Sequence, residues 1–327
     1  MFLMDGVLII DKPVGFTSHD VVARVRKLLH VRRVGHTGTL DPFATGVLVV
    51  LVGRATRLAQ FVSGTEKEYE AIVRLGYATD TGDITGAPVS NTQGSTNLVT
   101  PNQWSDQEIE AALESLVGEI DQIPPMYSAK KVGGRKLYDL ARRGERVERQ
   151  PARVIIHTFQ AVRREARLLK DNMDGTFDLA VHVVCSAGTY IRALAESLGE
   201  RLNVGAHLAE LRRIRAGAFP ISEALSLESV KAAADEESLA TVLLPPREAL
   251  RHMPFAAVSA SDARSIRQGR TISLGEHSGG IPAEGEDVAI RDETGDLIAV
   301  GCYHSPSQTL KPRVVLAMKE TATDEHK

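Results

Sequence analysis

Two hydrophobic rhythms run along this chain, and the breaks between them fall on glycine, proline and small polar residues. The first apolar run, Val7-Leu8-Ile9-Ile10, stops at Asp11-Lys12-Pro13-Val14-Gly15, which predicts a short buried strand ending in a turn. Val21, Val22, Val25, Leu28 and Leu29 then recur at helical spacing. Ser18 stands where it can cap that helix, and Arg24, Arg26 and Lys27 fall off the apolar stripe or at its edges. Val47 to Val52 form a second buried run, and Tyr69, Ala71, Val73 and Leu75 alternate with more polar neighbours as a half-buried strand does. Ser105 and Glu108 are spaced as a capping box ahead of Ile109, Ala112, Leu113, Leu116 and Val117, and Gly118 stands where a helix C-cap belongs. Phe177 to Cys185 is the clearest period-two strand. It leads through Gly188-Thr189-Tyr190 into a helix with Ile191, Leu194, Ala195 and Leu198 on one face and Gly199 near its end.

These elements are mixed without the regular alternation of βαβ units. The predicted class is therefore α+β, with a mixed, largely antiparallel sheet and flanking helices. Residues 84–103 are rich in Gly, Ser, Thr, Asn and Pro and read as loop. Composition shifts at Leu244-Pro245-Pro246, a predicted linker. Beyond it, Val288 to Ile290, Leu297 to Val300 and Val314 to Leu316 predict a small β-barrel-like domain. The expected division is a first domain over 1–245, a second over 250–318, and a disordered tail over 319–327.

Of the 327 residues, 43% are apolar and 25% charged, as in ordinary soluble proteins. The formal net charge of −3 argues against a polyanionic partner until its distribution is considered. Residues 130–170 hold thirteen Lys and Arg against four Asp and Glu, while acids collect at Asp235 to Glu237 and Glu284 to Asp296. Such a basic run is either a solvated loop or a face turned toward phosphates. The two cysteines, Cys185 and Cys302, are far apart and outside any C-x-x-C, which argues against zinc and a disulfide framework and suits a reducing compartment. No apolar run approaches the ~20 residues that span a bilayer. The N-terminus lacks a basic stretch followed by an apolar one, so the expected location is the cytoplasm.

The densest candidate for chemistry is GHTGTLDPFATG, Gly35 to Gly46, which sets His36 and Asp41 among glycines. Asp41 precedes Pro42, which biases it toward an extended conformation. Two readings follow: a turn in which Asp41 caps local amides and His36 is merely packed, or a carboxylate exposed in a cleft. One acid narrows the chemistry. A paired-carboxylate glycosidase needs a second acid opposite the first. The ten histidines are scattered and no H-E-x-x-H is present, so a metal hydrolase has no signature here. Asp80-Thr81-Gly82 matches the aspartic-protease triplet, but the chain has no second D-T-G or D-S-G and the turn reading holds.

Six segments carry a resemblance. GVLIIDKPVGFTS (Gly6 to Ser18), GHTGTLDPFATGVL (Gly35 to Leu48), KEYEAIVRLGYATDTGD (Lys67 to Asp83), IPPMYSAKKVGGRKLYDLAR (Ile123 to Arg142), CSAGTYIRALAESLG (Cys185 to Gly199) and GAHLAELRRI (Gly205 to Ile214) resemble, in order and spacing, the TruB family of tRNA pseudouridine synthases. The likeness covers about residues 5 to 225, and the C-terminal part resembles a PUA RNA-binding domain.

The resemblance implies that one uridine of the tRNA T arm, position 55, is isomerised to pseudouridine. The N-glycosidic bond breaks, the uracil turns, and a carbon–carbon bond to the same ribose forms. No atom is gained or lost, so the resemblance implies no cofactor and no metal. Asp41 matches the family's catalytic carboxylate. Attack at the ribose, attack at the base and a glycal route are all compatible with an ionised acid. Tyr69 matches the residue that stacks on the target base, Tyr190 one that packs against it, and Arg192 the partner expected to hold Asp41 ionised. Leu211 matches an apolar wall of the uridine pocket. His36 matches a residue near the flipped nucleotides, and Lys12 and Pro13 match a turn supporting the active-site loop. Extruding the uridine from a folded loop costs a few kcal/mol, which stacking offsets. The basic segment from Lys130 to Arg167 is expected to hold phosphates, with Gly133, Gly134 and Gly144 as sites of motion. The expected partner is tRNA alone, with no membrane and no obligatory protein partner, and the expected state is a monomer. Two alternatives stand beside this reading: a guide-dependent RNA pseudouridine synthase subunit, and a non-catalytic tRNA-binding or folding protein.

Overall fold

A computed structural model describes residues 4–89, 103–128, 130–137, 140, 143, 145, 147–163, 167–274 and 282–316. The first strands are β1 (Gly6–Lys12), β2 (Val34–His36), β3 (Thr45–Val52), β4 (Lys67–Leu75), β5 (Gly118–Gln122), and the paired β6 (Lys131–Val132) and β7 (Arg135–Lys136). They are followed by β8 (Ala152–Ala161), β9 (Leu169–Asp171), β10 (Phe177–Cys185), β11 (Ala206–Ala216) and β12 (Phe219–Pro220). The described helices of this part are α1 (Ser18–Leu29), α2 (Ala59–Ser63), α3 (Asp106–Glu114), α4 (Ile191–Arg201) and α5 (Leu227–Asp235).

The large sheet runs β1-β3-β11-β4-β10-β8-β5, with β2 added to β3, β9 to β10 and β12 to β11. Its named strands pair antiparallel except at β3 and β11, which run parallel where Arg212 faces Thr45 and Arg213 faces Gly46. That junction divides the sheet into two halves with separate cores. On one side, Val21, Val25 and Leu29 of α1 and Val230 of α5 pack on Leu8, Ile10, Leu48 and Val50. On the other, Ile109 and Leu113 of α3 and Leu194 and Leu198 of α4 pack on Val73, Leu179 and Val181. The unbroken apolar run of β3 follows from its position, because Val47, Val49 and Leu51 enter one core while Leu48, Val50 and Val52 enter another.

Glycine is required at the junction. Gly46 has φ +101°, and a Cβ there would lie 2.2 Å from the carbonyl oxygen of Arg213. The parallel contact between β3 and β11 depends on that missing side chain.

Several local expectations change. Thr17, not Ser18, caps α1: its hydroxyl accepts from the Asp20 N–H at 3.0 Å, and Asp20 accepts from the Thr17 N–H at 2.8 Å. Thr17 and Asp20 form the reciprocal box, which leaves Ser18 buried and free for another role. Gly118 is not a C-cap. The helix α3 closes at Ser115, and Gly118 uses φ +103° to turn the chain into β5. The glycine segment 35–46 is also less of a loop than expected, since β2 and β3 take its two ends. Residues 84–89 form turn structure, with Thr79 bridging to Pro88, and 90–102 lie outside the described residues.

The second sheet comprises β13 (Phe255–Ala257), β14 (Ile272–Ser273), β15 (Asp287–Arg291), β16 (Leu297–His304) and β17 (Thr309–Val315), in the order β13-β15-β16-β17-β14. It curls as a half-barrel around α6 (Ala260–Arg267), whose Ala263 and Ile266 are buried in its core. The stretch after Leu244 is no free tether. Leu244 and Val7 exchange backbone hydrogen bonds of 2.8 and 3.0 Å. Ala249 and Leu250 are buried with Ile9, Val49, Ala289, Val300 and Val314 in one cluster that joins the two sheets. Arg54 donates to the Leu316 carbonyl at 3.0 Å and Arg57 to that of Val315. The expected disordered tail, 319–327, lies outside the described residues.

Gly46→Ala is expected to destabilise the protein by more than about 2 kcal/mol, since it combines positive φ with a backbone clash. Urea unfolding monitored by circular dichroism checks this, and an unchanged midpoint would show that β3 and β11 can separate freely.

Candidate active site

The segment Leu40-Asp41-Pro42 is held on both flanks. The Ser18 hydroxyl accepts from the Leu40 N–H at 2.9 Å and donates to the Leu40 carbonyl at 3.2 Å. The Pro42 carbonyl accepts from the Gly15 N–H at 2.8 Å and from Lys12 Nζ at 3.4 Å. Lys12 is fully buried and also donates to the carbonyls of Pro13 and Phe16 at 3.0 and 2.6 Å. Burial pushes the Lys12 pKa down to about 8, with Asp41 acting in the opposite direction. Lys12 therefore ties the 11–16 turn to the residue after Asp41. Arg213, also buried, donates to the carbonyls of Val47, Gly38 and Thr39 at 2.7, 3.1 and 3.4 Å. Two buried cations thus spend their donors on backbone carbonyls of the loop, which is how a charged side chain tolerates an interior position.

Asp41 meets Arg192 side-on. Arg192 Nε lies 2.9 Å from Oδ2 and Nη2 donates to Oδ1 at 3.3 Å. The guanidinium, on a residue 3% exposed, also donates to the carbonyls of Thr81 and Tyr127 at 2.7 Å each, and Asp83 Oδ2 lies 3.8 Å away. Arg192 is the second residue of α4, near the positive end of that helix, where a cation is disfavoured. The two carboxylates and two carbonyls around it supply the compensation. Burial pushes the Asp41 pKa above the ordinary carboxylate value; Arg192 opposes this, and the neighbouring Asp83 adds to it.

A cavity of about 250 Å³ opens over this pair, walled by Tyr69, Tyr190, Leu211, Lys67, Ser128 and Arg213. Tyr69 and Leu211 belong at once to this wall and to the core between the sheet and α3 and α4, so packing and pocket are the same surface. Burial pushes the Tyr69 phenol up, keeping it neutral. Tyr190 is the N-cap residue of α4, and Gln122 clamps its backbone. The Tyr190 N–H donates to Gln122 Oε1 at 2.7 Å, and Gln122 Nε2 donates to the Tyr190 carbonyl at 3.0 Å.

Five expected residues thus converge: Asp41, Tyr69, Tyr190, Arg192 and Leu211. His36 does not line the cavity. Its ring meets His19 edge-on at 5.6 Å, and its Nδ1 accepts from the Gly38 N–H at 3.3 Å. Burial pushes its pKa down to about 4, so it is neutral near pH 7. Sequence reasoning passed over Ser18 as a loop anchor, together with Asp83, Gln122 and Arg213. Arg213 had a signal, because Arg212 and Arg213 are adjacent on a strand and must face opposite ways. Gln122 had none.

The basic middle segment is partly neutralised. Arg153 pairs with Asp121 at 3.3 Å and Arg163 with Asp106 at 2.6 Å, while Arg149 donates to the Pro124 carbonyl at 3.1 Å. Arg143 is exposed; Arg142, Gly144 and Arg146 lie outside the described residues. Gly133 and Gly134 adopt φ +57° and +81° between β6 and β7, the turn of a two-residue hairpin. Among the described residues, no three His, Cys, Asp or Glu side chains converge as a metal site would, and no helix is long and apolar enough to cross a membrane.

Two family models match the chain: the N-terminal domain of TruB family pseudouridylate synthases over 26–191, and the C-terminal domain of tRNA pseudouridylate synthase B over 192–251. The tRNA pseudouridine synthase B of Geobacillus thermodenitrificans is 41% identical over 83% of this chain and 86% of its own length. That of Bacillus licheniformis is 40% identical over 97% and 99%. Among solved structures, a chain of an H/ACA RNP bound to a substrate RNA containing 2′-deoxyuridine superposes with a TM-score of 0.70, at 25% identity over 96% of this chain and 86% of that one.

The raised Asp41 pKa has a signed consequence. Between the unfolded value, 3.8, and the folded one, the native protein binds more protons than the unfolded chain, so this group lowers stability as pH rises through that window. The stability of Asp41→Asn relative to the parent should therefore climb over that window and then level off. Urea midpoints measured from pH 4 to pH 7 read this difference; a relative stability that falls with pH would mean that Arg192 outweighs burial.

Proposed function

The chain belongs to the TruB family of pseudouridylate synthases and isomerises uridine to pseudouridine in tRNA; on that premise we propose that its target is uridine 55 of the T-arm loop and that Asp41 is the catalytic carboxylate. The observation that carries the assignment is the Asp41–Arg192 pair at the floor of a cavity walled by Tyr69, Tyr190 and Leu211. At about 250 Å³ the cavity falls below the roughly 300–1,000 Å³ of sites for drug-sized ligands, and its aromatic and aliphatic walls suit one planar base. A uridine stacked in an RNA loop reaches such a floor only by leaving the stack. Tyr69 and Tyr190 offset part of that cost by enclosing the base, and Arg192 fixes the orientation of the carboxylate.

In the reaction, the bond from N1 of uracil to C1′ breaks, the base turns, C5 bonds to the same C1′ and gives up its proton, and N1 takes up a proton, so that the atoms balance. The carboxylate must be ionised, whether it attacks the sugar, attacks the base or removes a ribose proton. Arg192 favours that ionised form against the burial that opposes it. His36, neutral and outside the cavity wall, has a place in holding the loop and nearby RNA rather than in proton transfer. Residues 250–318 are read as a PUA-like domain giving a second RNA contact, and the basic segment 130–170 as the phosphate-facing surface beside the pocket.

Asp41→Asn is expected to lower turnover by at least about a thousandfold while leaving tRNA affinity within about threefold, because the substitution removes chemistry and not contact area. Tritium release from a T-arm stem-loop carrying 5-tritiated uridine, with no guide RNA or metal added, checks both the reaction and the independence from a guide. Appreciable turnover by the variant would refute the role of Asp41. A protein that binds but never turns over would favour a folding or binding role instead.

Neutralising Arg143 and Arg149 together with Arg142 and Arg146 should weaken tRNA binding and reduce the slope of log affinity against log salt by about 0.7–0.9 for each phosphate no longer neutralised. Fluorescence anisotropy across a salt series measures it, and an unchanged slope would place the phosphates elsewhere.

A further inference from the structure

One buried polar atom at the active-site cavity has no partner among the described residues. Ser128 is 5% exposed, its hydroxyl is fully shielded, and no hydrogen-bonding group satisfies it among the described residues. Leaving a buried hydroxyl unpaired costs about 1–3 kcal/mol, so native interiors rarely retain one without a reason. Ser128 is one of the residues lining the cavity that holds Asp41, Tyr69 and Leu211. Its backbone position is fixed from two directions. The preceding carbonyl, of Tyr127, accepts from Arg192 at 2.7 Å, and the Ser128 N–H donates to the Met126 carbonyl at 3.0 Å. The guanidinium that orients Asp41 thus also fixes the backbone that carries Ser128.

Resting on the reading that this cavity takes a flipped uridine, we propose that Ser128 is a substrate-binding residue whose hydroxyl hydrogen-bonds the polar edge of the target uracil. The walls formed by Tyr69 and Leu211 grip faces and apolar atoms, which leaves the O2, N3–H and O4 edge needing polar partners once it is desolvated. A hydroxyl both donates and accepts, so it satisfies a carbonyl oxygen or the imino N–H. Bound base and buried hydroxyl then complete each other: the partner missing in the free protein arrives with the substrate.

The proposal predicts effects of opposite sign on stability and on catalysis. Ser128→Ala removes an unpaired group from the free protein, so the thermal midpoint should stay level or rise. In the complex the same change strands the base edge, so kcat/KM on a T-arm stem-loop should fall roughly tenfold. Stem-loops carrying 2-thiouridine, 3-deazauridine or 4-thiouridine at the target locate the hydrogen-bonded atom. One of the three should slow the parent protein and have little further effect on Ser128→Ala, the non-additivity of two changes to one interaction. A lowered thermal midpoint with unchanged kcat/KM would make Ser128 structural and overturn the inference. So would additive effects for all three analogues. Failure of the parent protein to modify the unmodified stem-loop would instead overturn the proposed function itself.

Discussion

A guanidinium buried as deeply as that of Arg192 must be surrounded by acceptors, and here those acceptors come from different parts of the chain. Asp41 arrives from the loop between β2 and β3, Thr81 and Asp83 from the turn after β4, and Tyr127 from the segment after β5. Stranding such a charge costs several kcal/mol, so the segments are not independently adjustable. Fixing Arg192 fixes the carboxylate, one rim of the cavity and the start of α4 together. The geometry around Asp41 is thus a consequence of satisfying one cation.

The second constraint is the parallel junction of β3 and β11. It brings Gly46 against the Arg213 backbone, and it lets the Arg213 side chain reach back to Gly38, Thr39 and Val47. The loop that presents Asp41 is therefore held by Arg213 from beneath and by Ser18 and Lys12 from the side. None of these three need touch a substrate for the site to depend on them. A loop rich in glycine is rigid here because buried donors consume its carbonyls, even though its composition alone reads as flexible.

What the sequence disclosed follows from which forces are local. The apolar run of β3, the alternation of Phe177 to Cys185 and the stripe of α1 each reflect burial of one or two faces, and those elements formed as read. The caps were harder, because Thr17 and Ser18 compete for the same position and only the reciprocal partner, Asp20, decides between them. Asp41 alone favours the turn reading, and family resemblance, not spacing, singles it out. Gln122 was invisible for a different reason. Its amide clamps Tyr190 across 68 residues of sequence, and nothing near either residue encodes that distance. The docking of residues 245–250 was hidden likewise: two prolines signal a break in structure, whereas the burial of Ala249 and Leu250 depends on a sheet that forms some fifty residues later.

The electrostatics of the site follow from the same packing. Burial alone would push the Asp41 pKa further up, and full exposure would leave it an ordinary solvated carboxylate with no fixed direction. Held against Arg192 at a cavity floor, it sits between these limits, with its pKa raised but opposed by a cation bonded to both of its oxygens. If Asp41 carries the proposed role, little reorientation is needed during the reaction, since the dipoles and charges around it are already set by folding. An arginine at the start of α4 works against that helix's own dipole. The fold accepts that local cost because the same residue ties two distant segments, the Thr81–Asp83 turn and the stretch of Tyr127, to the carboxylate.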